Sequence, residues 1–519
     1  MHPFSTTAST RCVPATKTST KTVAVLGASF GGFHAARILA NGLPEDWKVV
    51  LIDRNSHVNH LYVFPRYAVL AGHEHKAFIP PTHVFSAPHT FTHALVTRLT
   101  PTSVSYARPH SPSPYSCTHP QHTIYSCPAT KEETLDFDYC VYALGSRLPA
   151  PIDVWGNGTH GNYGGRKEEG VQYLMRMQKR VEEARSVLVI GGGALGIQFA
   201  SDIAALYGPS KHVTLLHSRH ALLPRFEEEL GGIVLSHLSA LGVNVVLGER
   251  VDLETLHTEK YRVKIAGSTL SVGNGHAHGM ANGAADANVN GVAVRNGTAN
   301  GEDDVARVAE EEERVVRTVK GREVRAELVL LCTGQTPNTA LLGELLPEAI
   351  VPFGESKGMI RVRRTLQIAV PRPVLPLSDA LTRDSEDAQD ACPQPYREEV
   401  DDEEIQLEVG DDGLDTAYAH IFAIGDAADA FGAINAGHNA HWQAEVAARN
   451  ILRLVHGETE IEQYVPGPPA IKVSLGLNDS AYQFNGEVGT KSGCAVDLDA
   501  RGMWEHFGWK GVKDEELLL

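Results

Sequence analysis

Two short glycine-rich stretches have the residue spacing that binds the phosphates of a dinucleotide. The first, GASFGG, begins at Gly27 and ends at Gly32, and the second, GGGALG, contains Gly191, Gly193 and Gly196. Such a turn needs glycine where the backbone approaches a pyrophosphate and where the next helix packs closely on the strand. The helix then offers unpaired N–H groups to the anion. Each stretch therefore predicts a dinucleotide site between a strand and a helix.

The first stretch departs from the pattern because Ser29 stands where the middle glycine is expected. Serine is small, and its hydroxyl can donate a hydrogen bond to a phosphate. Asp53 ends the apolar run WKVVLID about 20 residues beyond the last glycine, where an acid accepts from ribose hydroxyls. Taken alone, GASFGG is equally compatible with a tight turn in another α/β fold. The complete second fingerprint makes a cofactor site the more specific interpretation.

A third element is IFAIGDA, in which a predicted strand delivers Gly425 and Asp426 to the start of a helix. In flavoproteins that bind two dinucleotides, an aspartate at this point binds the ribityl hydroxyl, and the following helix directs its N-terminus at the isoalloxazine ring. A plain helix N-cap is the alternative role for Asp426. In chain order, the three elements assign FAD to the first fingerprint and a nicotinamide dinucleotide to the second.

The surrounding patterns predict an α/β fold with two Rossmann-like domains. TVAVL and FHAARILA form a strand and a helix around the first turn, and RSVLVI with the helix after GGGALG repeats the design. A segment at 267–314 is low in complexity and reads as a disordered insertion, and residues 371–415 form a second, acidic insertion. The first 21 residues are predicted to be a disordered tail.

Composition excludes several classes of function. The 519 residues have 42% hydrophobic content and a formal net charge of -17, which argues against a nucleic-acid partner. The seven cysteines show no paired spacing, which favours a reducing compartment, and we predict no metal site. No apolar run approaches the length of a transmembrane helix. We expect a cytoplasmic protein; the Ser/Thr-rich, acid-free N-terminus keeps a mitochondrial location as the alternative.

The chain resembles the flavoprotein oxidoreductases related to apoptosis-inducing factor, specifically the ferroptosis-suppressor branch and its fungal relatives. The resemblance is carried by VTLLHSR, GERV, LVLLCTG, IRVRRTLQI, IFAIGDAAD and YVPGPPAIKVSLGLND. It implies the FAD/NAD(P) disulfide-reductase-like fold, in which an NAD(P) domain is inserted into an FAD domain. The implied divisions are 22–150 and 334–456 for the FAD domain, 151–333 for the NAD(P) domain, and 457–519 for a small C-terminal region.

The resemblance also implies a reaction and a set of cofactor contacts. Hydride passes from NADH or NADPH to the flavin, and electrons then pass to a quinone or a similar small acceptor. Because no cysteine pair is present to relay electrons, reduced flavin must deliver them directly. By position, the implied FAD contacts are Ala28, Ser29, Phe30, Gly31, Gly32, Arg66, Val96 and Asp426. Arg66 lies in HLYVFPRYAV, which reads as the loop over the flavin; a surface cation is the alternative.

Three departures from the relatives concern the chemistry. The second strand of the NAD(P) cycle ends in His217-Ser218-Arg219 without an acid, so Arg219 could bind a 2′-phosphate and both NADH and NADPH stay open. Gln198 replaces a glutamate that is common near the nicotinamide, and it keeps the hydrogen-bonding shape without the charge. Asn435 replaces a lysine that is frequent beside the flavin, so quinone reduction is expected to be weak or redirected.

Two further groups of residues have alternative roles. His438 is a candidate proton relay to a reduced acceptor, with His441 and Trp442 beside it, although a helix-surface position is the simpler role for the histidines. Trp504, Phe507 and Trp509 are expected to pack in the core, with an interfacial membrane patch as the alternative.

The acceptor and the oligomeric state stay open at this stage, and so does peripheral membrane contact. Two alternative functions remain. One is a flavin-dependent tailoring oxidoreductase or oxidase acting on a specific small molecule. The other is an FAD-binding interaction or signalling protein with weak redox activity.

Overall fold

The computed structural model describes residues 20–81, 85–109, 132–149, 151–155, 164–253, 314–372 and 413–518. The helices are α1 (Phe30–Gly42), α2 (Phe64–Tyr67), α3 (Lys167–Glu183), α4 (Ala194–Tyr207), α5 (Glu228–Ala240), α6 (Ala340–Leu345), α7 (Gly437–Val455) and α8 (Ala500–His506). The strands are β1 (Lys21–Leu26), β2 (Trp47–Asp53), β3 (Val58–Asn59), β4 (Phe78–Ile79), β5 (Thr90–His93), β6 (Leu95–Leu99), β7 (Ser103–Ala107), β8 (Glu132–Asp136), β9 (Tyr139–Tyr142), β10 (Ser146–Arg147), β11 (Ser186–Ile190), β12 (His212–Leu216), β13 (Asn244–Val246), β14 (Arg314–Arg317), β15 (Glu323–Ala326), β16 (Leu328–Leu331), β17 (Thr336–Pro337), β18 (Ile360–Arg361), β19 (Ala369–Pro371), β20 (Leu414–Thr416), β21 (Ile421–Ala423), β22 (Ala428–Asp429), β23 (Ile471–Leu475), β24 (Asp479–Phe484) and β25 (Glu487–Lys491).

The first fingerprint belongs to a five-stranded parallel sheet with the order β21-β9-β1-β2-β5. Its central strands are almost continuously apolar, as expected when both faces of a parallel sheet are covered. Strand β21 comes from far beyond the second fingerprint but pairs with β9, so segments on both sides of the second domain complete one sheet. Helices α1 and α7 pack against each other over this sheet.

The second fingerprint belongs to a separate four-stranded parallel sheet with the order β13-β12-β11-β16. Two parallel sheets with helices around them confirm the predicted α/β class. Strands β23, β24 and β25 form an antiparallel sheet after α7, and β23 packs against α4 of the second domain.

The aromatic residues near the C-terminal end belong to the core. Trp504, Phe507 and Trp509 are 0%, 1% and 8% exposed. The indole N–H groups of the two tryptophans donate to the carbonyl oxygens of Lys76 and Pro80. The core-packing expectation is therefore confirmed, and the membrane-patch alternative is wrong for these three residues.

The predicted low-complexity segments lie largely outside the described residues. This is true of the tail at 1–19, of the insertion except for residue 314, and of 373–412 in the acidic insertion. Where the chain is described again, β19 and β20 form an antiparallel pair that brackets the acidic segment.

The prediction of a helix starting at Asp426 needs correction. Residues Gly425–Ala427 form a single 3₁₀ turn, and α7 begins ten residues after the end of that turn. The connection contains Phe431 and Gly432, whose φ angles are 56° and 78°. A right-handed helix cannot continue through such positive φ values, so the sequence's apparent single helix is divided here.

Two buried histidines should make the free energy of unfolding depend on pH. Burial lowers the pKa of both His57 and His60 from 6.5 to about 3. In the unfolded chain these rings take up protons below about pH 6.5, whereas in the folded chain they stay neutral, so stability is lost as the pH falls. At pH 5 the loss is roughly 2 kcal/mol for each ring. We expect the urea midpoint to fall between pH 7.5 and 5 and the fall to be smaller in His57→Gln; an equal fall in both proteins would contradict this assignment.

Candidate functional site

The two glycine-rich turns have the same backbone geometry. The N–H of Gly27 donates to the carbonyl of Ile52 at 2.8 Å, and the N–H of Gly191 donates to the carbonyl of Leu216 at 2.9 Å. Both glycines have positive φ angles, 99° and 126°, which side-chain-bearing residues rarely adopt. The structure thus builds one turn twice, at the carboxyl end of the central strand of each sheet.

The last glycine of each fingerprint is fixed by helix packing. A Cβ atom on Gly32 would overlap the carbonyl oxygen of Gly27, and one on Gly196 would overlap that of Gly191. Backbone atoms cannot move away as a flexible side chain can. These positions therefore require glycine for the helix to start directly over its own turn.

The helix starts leave their first N–H groups uncapped by side chains. Ser29 and Gly193 are the N-cap residues of α1 and α4, both with extended backbone, and neither makes a side-chain cap. A Cβ on Gly193 would meet nothing within 4 Å. Packing of the described residues therefore does not require glycine there, and the open space leaves room for a ligand. This backbone fits the pyrophosphate of a dinucleotide at both turns.

Asp53 lies beside the first turn, as predicted. Its Oδ2 accepts from the N–H of Ala28 at 2.6 Å, and its Oδ1 accepts from the N–H and side-chain amide of Asn55 at 2.6 and 3.0 Å. Burial raises the pKa of this carboxyl, whereas these hydrogen bonds favour the charged form. The carboxylate is therefore held at the edge of the turn, where it can accept from a ribose.

His217 takes the equivalent place beside the second turn. It follows Leu216 just as Asp53 follows Ile52, and its Nδ1 accepts from the N–H of Gly192 at 3.1 Å. Sequence analysis treated His217 only as the lack of an acid. Through this hydrogen bond His217 supports the second turn as Asp53 supports the first, but with an uncharged ring nitrogen.

Asp426 lies where loops from both sheets meet. Its Oδ2 accepts from the hydroxyl of Ser146 at 3.0 Å, and that hydroxyl is also 2.8 Å from Oε1 of Gln335. Burial raises the pKa of Asp426, and the Ser146 bond opposes the rise. The hydroxyl of Ser146 therefore positions Asp426, and the contact of Asp426 with the ribityl chain stays a prediction.

A cavity of about 1720 Å³ connects the second turn to the N-terminal end of α7. Predicted residues that line it are Phe30, Gly191, Gly193, Gln198, Arg219, Asn435, His438, His441 and Trp442. Gly27, Ser29, Asp53, Val96 and Asp426 do not line this cavity. Val96 is 8% exposed and belongs to β6, so its predicted FAD contact stays untested.

His441 lies at the cavity but is occupied by protein contacts. Its ring stacks on His34 with centroids 3.6 Å apart, and Nε2 of each ring lies within 3.6 Å of Glu445. Arg37 donates to Nδ1 of His34 at 3.1 Å, so the neutral ring has its proton on Nε2 and donates to the glutamate. These contacts join α1 to α7. His438 and Trp442, which also lie on α7, line the cavity and remain candidates for contact with a ligand.

Arg66 corrects one sequence expectation. Its guanidinium is 1% exposed in its side chain and forms a two-pronged ion pair with Asp202 of α4, at 2.8 and 3.0 Å. Its remaining N–H groups donate to the carbonyls of Gly476, Leu477 and Val496. All five donors of the side chain are thereby used. Arg66 has none left for FAD; it instead joins the first domain, α4 and the C-terminal region.

Tyr62 is a residue that sequence analysis missed. Its hydroxyl accepts from the N–H of Gly437, at the start of α7, at 2.7 Å, and its ring packs on Phe30 at 5.2 Å. The N-terminus predicted to face the flavin is thus capped by a side chain from the first domain. The contact spans 375 residues, and no local sequence signal reports it.

Comparison with known proteins agrees with this architecture. The profile of the family described as pyridine nucleotide-disulphide oxidoreductase matches residues 21–277. Fe-regulated protein 8 of Mycosarcoma maydis is 36% identical over 501 residues, which cover 94% of this chain and 95% of that protein. The chain belongs to the pyridine nucleotide-disulphide oxidoreductase family. Within this family it is an apoptosis-inducing-factor-like oxidoreductase, and its cofactors are FAD and NAD(P)H.

More distant relatives of the oxidoreductase fit the same assignment. Ferroptosis suppressor protein 1 of Taeniopygia guttata is 24% identical over 478 residues, covering 89% of this chain and 88% of that one. A ferredoxin reductase from Rhodopseudomonas palustris shares the fold with a TM-score of 0.51 at 15% identity, covering 89% and 81% of the two chains. Among the residues described, no helix is long and apolar enough to cross a membrane.

Replacement of Arg66 separates a structural role, in the ion pair with Asp202, from a role in binding FAD. Arg66→Met leaves the carboxyl of Asp202 buried without its partner, which costs about 3–5 kcal/mol. We expect a lower urea midpoint but a normal FAD-to-protein ratio in the folded fraction. Arg98→Met, at an exposed arginine, is the control and should change neither value. Loss of FAD at unchanged stability would restore the cofactor role.

Ser29 tests the position of the FAD pyrophosphate. Because its hydroxyl makes no cap bond, changes here should leave α1 intact. Ser29→Gly should retain FAD, Ser29→Ala should weaken FAD binding modestly if the hydroxyl donates, and Ser29→Val should abolish it by crowding the turn. The FAD-to-protein ratio and fluorescence titration of apoprotein measure this. Full FAD content in the valine variant would place the phosphate elsewhere.

Proposed function

We propose that this flavoprotein passes reducing equivalents from NAD(P)H through FAD to a quinone or similar small acceptor. The observation that carries the proposal is one cavity shared by the NAD(P) turn, Gln198 and the start of α7. A donor bound at the turn and an acceptor bound against α7 would therefore occupy one continuous cavity. The resemblance to the ferroptosis-suppressor branch also supports this reaction.

In this scheme the protein's own residues bind and orient the two cofactors. Gly27, Ser29 and Gly32 hold the FAD pyrophosphate, Asp53 holds its ribose, and Asp426 holds the ribityl chain. Gly191, Gly193 and Gly196 hold the nicotinamide dinucleotide, and Gln198 hydrogen-bonds near its reactive end. Bound FAD supplies the chemistry of accepting a hydride and releasing electrons. No side-chain nucleophile is required.

The cysteines of the described residues do not form a relay. Cys140 and Cys332 are buried, and burial raises the pKa of each thiol well above its ordinary value. Cys494 lies at the cavity, with Sγ 3.3 Å from the hydroxyl of Ser480. None of these three cysteines is paired with another, and in the proposed scheme the acceptor itself enters the cavity.

The acceptor side offers an uncharged, partly aromatic surface. Trp442 is 57% exposed and presents a flat apolar face, and Asn435 and His438 line the cavity beside it. Partial burial lowers the pKa of His438, so its ring is neutral at pH 7 and can exchange a proton with a reduced acceptor. A planar acceptor with carbonyl groups suits these neighbours.

Asn435 provides the test of the acceptor. A lysine there would stabilise the anion formed on the acceptor, whereas an aspartate would oppose it. We expect Asn435→Lys to raise steady-state quinone reduction several-fold and Asn435→Asp to lower it. Anaerobic flavin reduction by NADPH, followed by stopped-flow absorbance, is measured in both variants so that a change at the flavin is separated from a change in the acceptor step. Quinone rates that do not respond to either charge would contradict an acceptor site at Asn435, and negligible turnover with FAD bound would favour an interaction or signalling role.

A further inference from the structure

The two nucleotide sites differ in the atom that supports the turn. In the first, a carboxylate oxygen of Asp53 accepts from the N–H of Ala28; in the second, Nδ1 of His217 accepts from the N–H of Gly192. A ring nitrogen that accepts carries no proton, so the neutral imidazole is protonated on Nε2. Partial burial and the nearby charge of Arg219 lower the pKa of His217. The second site is therefore supported without a negative charge.

The missing charge bears on the choice of coenzyme. In Rossmann-type sites an acid at this strand end accepts from the 2′-hydroxyl of the adenosine ribose, and NADP sites have a nearby arginine for the 2′-phosphate. A carboxylate at this place also repels a phosphate that carries up to two negative charges. His217 removes that repulsion while it keeps the turn intact.

Three arginines line the same cavity as the second turn. Ser218 and Arg219 are exposed directly after His217, and Arg219, Arg225 and Arg250 all line the cavity. Among the residues that the structure describes, Arg219 and Arg250 have no ion-pair partner. Arginine binds phosphate through paired, charge-assisted hydrogen bonds.

Glu249 is an acid that lies just beyond the end of the neighbouring strand, β13. The N–H of Glu249 donates to the carbonyl of His217 at 3.0 Å, and the glutamate side chain lines the same cavity. Oε1 of Glu249 lies 3.5 Å from Nε of Arg322, and Oε2 is buried without a hydrogen-bond partner. Oε1 of Glu249 is thus directed toward Arg322, in the turn between β14 and β15. It is therefore a weaker candidate for the ribose than the residue at the end of β12.

We infer that this site selects NADPH over NADH, with His217 as the uncharged support of the turn and Arg219 as the partner of the 2′-phosphate. The inference rests on the hydride-donor role that the proposed function gives to this site. It adds the identity of the donor.

The test uses fragments that differ only in the 2′-phosphate. The purified full-length protein with bound FAD is titrated calorimetrically with 2′,5′-ADP and with 5′-AMP. We expect 2′,5′-ADP to bind roughly 10–100 times more tightly, the range for charge-assisted hydrogen bonds. Arg219→Ala should lose most of that difference, and Glu249→Gln should keep it.

A matched pair of variants isolates the effect of a negative charge at position 217. Asparagine and aspartate at position 217 have the same shape, and each can accept from the N–H of Gly192. His217→Asn should keep the preference for 2′,5′-ADP, and His217→Asp should abolish or reverse it. Equal behaviour of these two variants would overturn the inference. So would 5′-AMP binding as tightly as 2′,5′-ADP to the unaltered protein, or binding of neither fragment while the flavin spectrum is normal.

The outcome is separable from that of the proposed function. Fragment binding involves neither hydride transfer nor an acceptor, so a clear 2′-phosphate preference without quinone turnover would retain this inference and reject the function. Conversely, efficient quinone reduction with NADH and no preference for 2′,5′-ADP would retain the function and reject the inference.

Discussion

The architecture depends on the contact between each helix start and its own turn. At Gly32 and Gly196 even a methyl group would overlap a backbone carbonyl, so α1 and α4 can begin where they do only because glycine is present. That contact brings the unpaired N–H groups of both helices to the carboxyl ends of the central strands. The same physical constraint therefore fixes helix packing and leaves unpaired N–H groups at both turns, where a pyrophosphate can bind.

Further polar contacts join distant segments of the chain around these two turns. The buried Arg66–Asp202 pair joins the first domain to α4, and the hydroxyl of Ser146 holds Asp426 at the junction of the sheets. Tyr62 caps α7 from the first domain. The Arg66–Asp202 pair is fully buried, where an unsatisfied group is costly, so this contact strongly specifies how α4 lies against the first domain.

The features that were predicted correctly are those that depend on residues close together in the sequence. Glycine periodicity, apolar strands and the acid after β2 gave both turns, the α/β class and the place of Asp53. Prediction from the sequence failed for Arg66, for the start of α7 and for Tyr62. Arg66 and Asp202 are 136 residues apart, and their pairing follows from domain packing rather than any motif. Likewise, His217 looked like an absent acid until the structure showed its nitrogen accepting from the turn.

The central claim is that the donor and acceptor sites serve one bound flavin. Anaerobic titration of the purified protein with NADPH, followed by the flavin absorbance near 450 nm, tests it most directly, with a quinone added afterwards. We predict bleaching by about one equivalent of NADPH and recovery of the oxidised spectrum on addition of the quinone, as one hydride carries two electrons. Bound flavin that neither NADPH nor NADH bleaches would contradict it.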